Sequence, residues 1–134
     1  MVNLNINWKF IVIGIVSAVL LYILLTNIGL KSIGFSAFFI GGIITGYLVQ
    51  DNLHNTAVNG LLAGFLGGII ISLMALTLTI LNPPSSGLNE GQLVEVLIVI
   101  FLYFVIVSGI ISTIGSIITY LIKSKLNQNP INSE

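Results

Sequence analysis

Thr56-Ala57-Val58-Asn59-Gly60-Leu61-Leu62-Ala63-Gly64-Phe65-Leu66-Gly67-Gly68-Ile69-Ile70-Ile71-Ser72 places a small residue at every fourth position: Thr56, Gly60, Gly64, Gly68 and Ser72. On an α-helix, residues four apart lie nearly above one another, so these five form one continuous groove in which a second helix can approach backbone to backbone. In water, each glycine inside a helix costs about 1 kcal/mol relative to alanine. In a bilayer, close packing of small-xxx-small faces is itself what draws helices together. The stretch therefore identifies the solvent as lipid and the fold as a packed bundle of membrane helices.

Composition agrees with that solvent. Of 134 residues, 56% are apolar and 6% charged, with a mean hydropathy of +1.13; soluble domains carry about 25% charged residues. The formal net charge is zero, which leaves no basic surface to hold nucleic acid by counterion release. Cysteine is absent, so disulfides, thiolate metal sites and cysteine nucleophiles are excluded. The length suits one domain, residues 1–126, filled by four spanning helices and followed by a polar tail over 127–134.

Read in order, residues 1–8 form a short polar leader. Lys9 and the apolar run after it give helix 1 over 9–28; the run exceeds a signal-peptide core and no Ala-x-Ala-like cleavage site follows it, so it is expected to be retained. Helix 2, over 33–50, carries Ala37, Gly41 and Thr45 in one row and Gly42 and Gly46 in the next. The polar turn 50–55 is short enough to make helices 2 and 3 antiparallel neighbours. Helix 3 spans 56–81 and stops at Pro83 and Pro84, which cannot continue the ladder. Gly42 and Gly46 are then the natural partners of Gly60, Gly64 and Gly68; the alternative is that the glycines face a different helix or another copy of the chain. Asn89 and Gln92 have the spacing of a capping box, with Glu90 and Glu95 where the helix dipole favours anions. Helix 4 covers 91–126 and is about 54 Å long, more than the hydrocarbon core. Ser108, Ser112 and Ser116 give it a small, weakly polar face.

Four spans put both termini on one side, with Lys9, Lys123 and Lys125 there and Lys31 opposite. The positive-inside rule makes that side cytoplasmic, and Trp8, Tyr47 and Tyr120 fall near the same boundary as an aromatic belt. The reverse topology is the alternative.

Ionisable groups at membrane depth would mark an ion path or proton relay, and none lies near the middle of a predicted span. Asn59 is the most deeply placed amide, with an interhelical hydrogen bond as its expected role. Asp51 and His54, three apart at the turn, are the best candidate polar site: on one helical face they would suit proton transfer or metal binding. Two ligands do not complete a metal site, and a turn between membrane helices is polar in any case. Glu90 and Glu95 read as dipole residues rather than a catalytic pair, and Tyr22 and Tyr103 lie at similar depth and could meet.

Gly41-Gly42-Ile43-Ile44-Thr45-Gly46-Tyr47-Leu48, followed by Asn59-Gly60-Leu61-Leu62-Ala63-Gly64-Phe65-Leu66-Gly67-Gly68, resembles a family of small archaeal membrane proteins of unknown function. These pair a Gly-Gly-x-x-x-Gly-Tyr-Leu helix with a Gly-x-x-x-Gly helix across a short turn. The resemblance covers about a quarter of the chain and implies four spans in an archaeal plasma membrane, with no established activity. The turn departs from the glycine-rich connection expected, having Asp51 and His54 and no glycine.

The expectation is an all-α, multi-pass protein of the cell membrane, an up-down antiparallel four-helix bundle with both termini cytoplasmic. Gly41, Gly42, Gly46, Gly60, Gly64 and Gly68 are its helix-packing residues. Its expected role is non-enzymatic helix packing or assembly, without cofactor or metal, with the bilayer and a second copy or a larger membrane protein as partners. The alternative is a small oligomeric pore or permease-like protein, with the serine face of helix 4 as its lining.

Overall fold

A computed structural model describes residues 4–30, 33–49, 51–82 and 89–128. Within them the chain forms α1 (Trp8–Asn27), α2 (Ser36–Leu48), α3 (Leu53–Leu81) and α4 (Glu90–Gln128). Three of these, α1, α3 and α4, are long and apolar enough to cross a membrane, while α2 is a shorter apolar helix. At a rise of about 1.5 Å per residue, α1 measures about 30 Å, the hydrocarbon thickness, and α2 only about 20 Å. Large apolar side chains cover the outside, among them Leu20, Ile80 and Val99, each more than 60% exposed. Such a surface suits lipid and not water.

Packed glycines fix the directions of the helices. Gly14 of α1 lies against Thr45 and Gly41 of α2, and Gly41 in turn lies against Ala18, so α1 and α2 run antiparallel. Gly42 and Gly46 meet Ser112 and Ser116, so α2 runs parallel to α4; Gly60, Gly64 and Gly68 meet Ser116, Ser112 and Ser108 in reverse order, so α3 runs antiparallel to it. The result is an up-down bundle with the start of α1 and the end of α4 at the same end.

Several boundaries differ from the sequence reading, each for a local reason. At the end of α1, Gly29 adopts φ 85°, and the Leu30 amide reaches back to the Leu25 carbonyl at 2.9 Å. This left-handed cap suits glycine, which has no Cβ to clash. The second helix begins at Ser36, not residue 33: Ala37 and Phe38 donate three residues back, to Gly34 and Phe35, in a tighter turn. It closes at Leu48 because Val49 is extended, at φ −76° and ψ 97°. The third helix begins at Leu53, three residues before Thr56, because Asn52 is its N-cap and its side chain accepts the Asn55 N–H at 2.9 Å. The fourth starts one residue before the expected 91 and extends to Gln128, two beyond 126. Asn89 and Gln92 form the reciprocal capping box: Gln92 N donates to Asn89 Oδ1 at 2.9 Å, and Asn89 N to Gln92 Oε1 at 3.2 Å. Residues 83–88 and 129–134, where the proline loop and most of the polar tail were placed, lie outside the described residues, as do Lys31, Ser32 and Gln50.

The packing partners correct the expected seam between helices 2 and 3. Gly42 and Gly46 do not meet Gly60, Gly64 and Gly68; both faces close on α4 instead. A Cβ on Gly42 would strike the Ser112 carbonyl, one on Gly46 would come within 2.6 Å of the Ser116 carbonyl, and one on Gly64 would strike the Ser108 carbonyl and the Ser112 Cβ. Ser108, Ser112 and Ser116, all at most 1% exposed, form a ridge set into two glycine grooves at once. The ridge is bonded as well as packed: Ser112 Oγ donates to the Gly60 carbonyl at 2.8 Å, while Ser108 and Ser116 donate to carbonyls three residues back in their own helix.

The opposite half of the bundle is filled by rings. Tyr22, Phe35, Phe38 and Phe104 bring α1, the turn before α2, α2 itself and α4 together, with Tyr22 edge-on to Phe104 at 5.6 Å and Phe35 against Phe104 at 4.6 Å. Tyr22 therefore meets Phe104 rather than Tyr103, which is 61% exposed. Edge-to-face and tilted pairs of this kind add about 0.5–1.5 kcal/mol beyond their burial.

Two single-methyl substitutions separate packing from helix propensity. Gly64→Ala should destabilise the bundle by about 1–3 kcal/mol through overpacking. Gly109→Ala, whose new Cβ would come no closer than an ordinary 3.4 Å to its neighbours Leu61 and Phe65, should be neutral or stabilising by up to about 1 kcal/mol. Denaturation followed by circular dichroism in detergent micelles measures both, and equal effects would contradict the packing described.

Candidate functional site

A cluster of amide and carboxylate side chains lies at the end of the bundle where α1 begins. Asp51, Asn55 and Asn59 follow one another at intervals of four, the last two on the inward face of α3 and the first just before its N-cap. Their side chains form a ladder. Asn55 Nδ2 donates to Asp51 Oδ2 at 2.6 Å, and Asn59 Nδ2 donates to the Asn55 carbonyl at 2.7 Å.

Residues 4–7, ahead of α1, are bound to this ladder. Asn7 N donates to Asn59 Oδ1 at 2.8 Å, Asn59 Nδ2 donates to the Asn5 carbonyl at 3.0 Å, and Asn5 N donates to Asn55 Oδ1 at 3.3 Å. A carboxamide presents the same donor and acceptor as a peptide group, so the fully buried Asn59 pairs with the leader much as a neighbouring strand would. The interhelical bond expected of Asn59 is thus a bond to the backbone that leads into α1. Residues 5 and 7 contribute backbone groups to these bonds, and Asn55 and Asn59 contribute side chains.

Asp51 and His54 do not form a pair. The Asp51 carboxylate is occupied by Asn55 Nδ2 and, at 2.8 Å, by Asn52 N. The His54 side chain is exposed and hydrogen-bonds to no described residue. No group of three or more metal-ligating side chains occurs among the described residues. The Asn55 amide, and after it the Asn52 N–H, hold the Asp51 carboxyl below its ordinary range. Glu95 is exposed, and the side chain of Glu90 lies outside what is described.

Two open clefts flank the connection between α2 and α3, and Asp51 lines both. One, of about 510 Å³, lies between the leader and α2 and is bounded by Asn5, Asn7, Phe10, Leu48 and Val49. The other, of about 440 Å³, lies between α2 and the last turns of α4, with Gly46, Val49, Tyr120, Lys123, Ser124 and Asn127 around it. At its edge the Lys123 ammonium sits 4.9 Å from the centre of the Tyr47 ring and donates to the Tyr47 carbonyl at 3.4 Å. Trp8 and Tyr47 are exposed at this same end, and Tyr120 is half-buried.

The serine face expected as a pore lining is filled by glycine backbone and lines no path within one chain. Two buried hydroxyls, Thr56 Oγ1 and Ser72 Oγ, have no hydrogen-bond partner among the described residues. Ser72 borders an apolar cavity of about 120 Å³ together with Tyr22, Leu97, Phe101 and Phe104.

The ladder yields two expectations. Asn59→Ala should cost about 1–3 kcal/mol by leaving the leader's peptide groups without partners, read as faster hydrogen exchange at residues 4–7. Because the Asp51 carboxyl is depressed in the folded chain, its contribution is complete above the ordinary carboxylate range, about pH 4, and is lost as pH falls through its folded value. Leader protection should therefore weaken on acidification, and Asp51→Asn should flatten that dependence.

No curated protein and no solved structure matches the chain. A family of unknown function, DUF5518, matches residues 8–122, from the first residue of α1 to the last turns of α4. The leader residues 4–7 and the end of α4 from Lys123 onward fall outside the match, while the whole of α1, α2 and α3 falls within it. The chain belongs to DUF5518.

Proposed function

We propose that the chain is a non-enzymatic assembly module of an archaeal plasma membrane: a rigid four-helix unit that associates with further copies or with a larger membrane protein. The observation carrying this reading is where the buried polar groups are used. Ser112 is spent on the Gly60 carbonyl of a neighbouring helix and Asn59 on the leader. Side chains spent on holding helices together are unavailable for turnover. An apolar groove of about 390 Å³ on the outer side of α3 and α4, lined by Leu61, Leu62, Phe65, Ile106, Gly109 and Ile110, offers a face for association. The archaeal assignment rests on the resemblance of the glycine motifs.

Both termini are proposed to be cytoplasmic. Lys9, Lys123 and Lys125, at the end shared with Trp8 and Tyr47, support this orientation. Because the native chain has no cysteine, Asn127→Cys provides a single label site; labelling of intact cells by an impermeant maleimide would reverse the topology.

The pore reading differs in a direct observable. Purified protein in mild detergent should have a mass that is a multiple of 14.3 kDa or include a partner, and liposomes containing it should show no selective leak of ions or small solutes. A robust, selective flux would overturn the assembly reading in favour of a pore.

A further inference from the structure

The cleft between α2 and the last turns of α4 holds two opposite charges that do not neutralise each other. Lys123 and Asp51 both line it, yet they form no ion pair; each is held from another side. The Lys123 ammonium is anchored on the Tyr47 ring and carbonyl, which supplies a partner to a carbonyl that the end of α2 leaves free. It has three N–H donors and the Tyr47 carbonyl takes one. The Asp51 carboxylate is oriented by Asn52 N and Asn55 Nδ2, and the half-buried residue lines the cleft. Between them lies about 440 Å³ of open space, within the range of small-ligand sites, about 300–1,000 Å³.

The other lining groups sort by charge. Ser124, Asn127 and Tyr120 stand on the same helix as Lys123 and can all donate hydrogen bonds, a set suited to an anion with several acceptor oxygens. Asp51 comes from the opposite wall and only accepts. Gly46 forms part of the lining, contributing no side chain, because a Cβ there would collide with Ser116. The complement of this site is a compact zwitterion with its phosphate toward α4 and an N–H-bearing ammonium toward Asp51. Position narrows the source, since Trp8, Tyr47 and Tyr120 are at the same end and such aromatic side chains settle at the headgroup level of a bilayer.

We propose that this cleft binds the phosphoethanolamine headgroup of a membrane phospholipid, Lys123 with Ser124 and Asn127 taking the phosphate and Asp51 the primary ammonium. The site carries one charge of each sign, so it discriminates against a purely anionic headgroup, unlike a basic lipid-binding patch. A trimethylated ammonium has no N–H to give Asp51 and is discriminated against too. The site is independent of the assembly role and survives if that role is wrong.

The test is native mass spectrometry of the full chain released from mixed micelles containing phosphatidylethanolamine, phosphatidylcholine and phosphatidylglycerol with identical acyl chains. The expected result is retention of the ethanolamine lipid about ten-fold over the other two. Lys123→Gln and Asp51→Asn should each abolish that preference, Lys123→Arg should keep most of it, and Lys125→Gln, outside the cleft, should leave it unchanged. Soluble glycerophosphoethanolamine separates the sources: competition at millimolar concentration means the headgroup alone suffices, and no competition means the acyl chains contribute and the ligand comes from the bilayer. Equal retention of the three lipids by the unmodified chain would overturn the proposal, even where a variant folds poorly. A loss in Lys125→Gln matching that in Lys123→Gln would also overturn it, by reducing the effect to general charge.

Discussion

The bundle depends on the contact between the Ser108, Ser112 and Ser116 ridge of α4 and the glycine grooves of α2 and α3. Lipid offers no hydrophobic drive for one apolar helix to leave it for another, so association rests on dispersion between closely fitted surfaces and on a few hydrogen bonds. Glycine permits that fit by bringing backbone atoms into contact, and serine is small enough to enter the groove while carrying a hydroxyl. Ser112 uses its hydroxyl across the interface, on the Gly60 carbonyl. One helix thereby organises two others, and α1 is added through a smaller version of the same joint at Gly14 and Gly41.

This division of labour explains the rest of the molecule. Close backbone contact leaves little room for side chains in one half, and the volume in the other half is taken by Tyr22, Phe35, Phe38 and Phe104. At the end where α1 begins and α4 ends, the asparagine ladder ties the leader to α3. The same end carries the open cleft between Asp51 and Lys123. Among the described residues the charged side chains keep to the ends of the helices, because a charge at membrane depth would be costly.

The helical, membrane-spanning character and the importance of the glycine faces were legible in the sequence, because period and composition report solvent and surface shape directly. The partner of each glycine face was not. A small-xxx-small row says where a backbone can be approached and not by which helix, and the short turn between α2 and α3 favoured the wrong neighbour. The serines at 108, 112 and 116 carried the missing information, since a row of small residues on α4 fits the glycine rows of both other helices. Gly14 and Ala18 were a readable small-xxx-small pair that went unremarked. Asn59 stood out by depth alone, but its partner, an irregular backbone segment before α1, has no periodic signature. Asp51 and His54 looked paired by spacing, and the N-cap at Asn52 turned Asp51 toward Asn55 instead.

The central claim is that α4, and not a direct seam between α2 and α3, closes the glycine grooves. Nuclear Overhauser contacts of the glycine α-protons, measured on glycine- and serine-labelled protein in bicelles, test it most directly. The account predicts contacts from Gly42 and Gly64 to Ser112 and from Gly46 and Gly60 to Ser116. Contacts running instead from Gly42 and Gly46 to Gly60 and Gly64, with none to the serines, would contradict it.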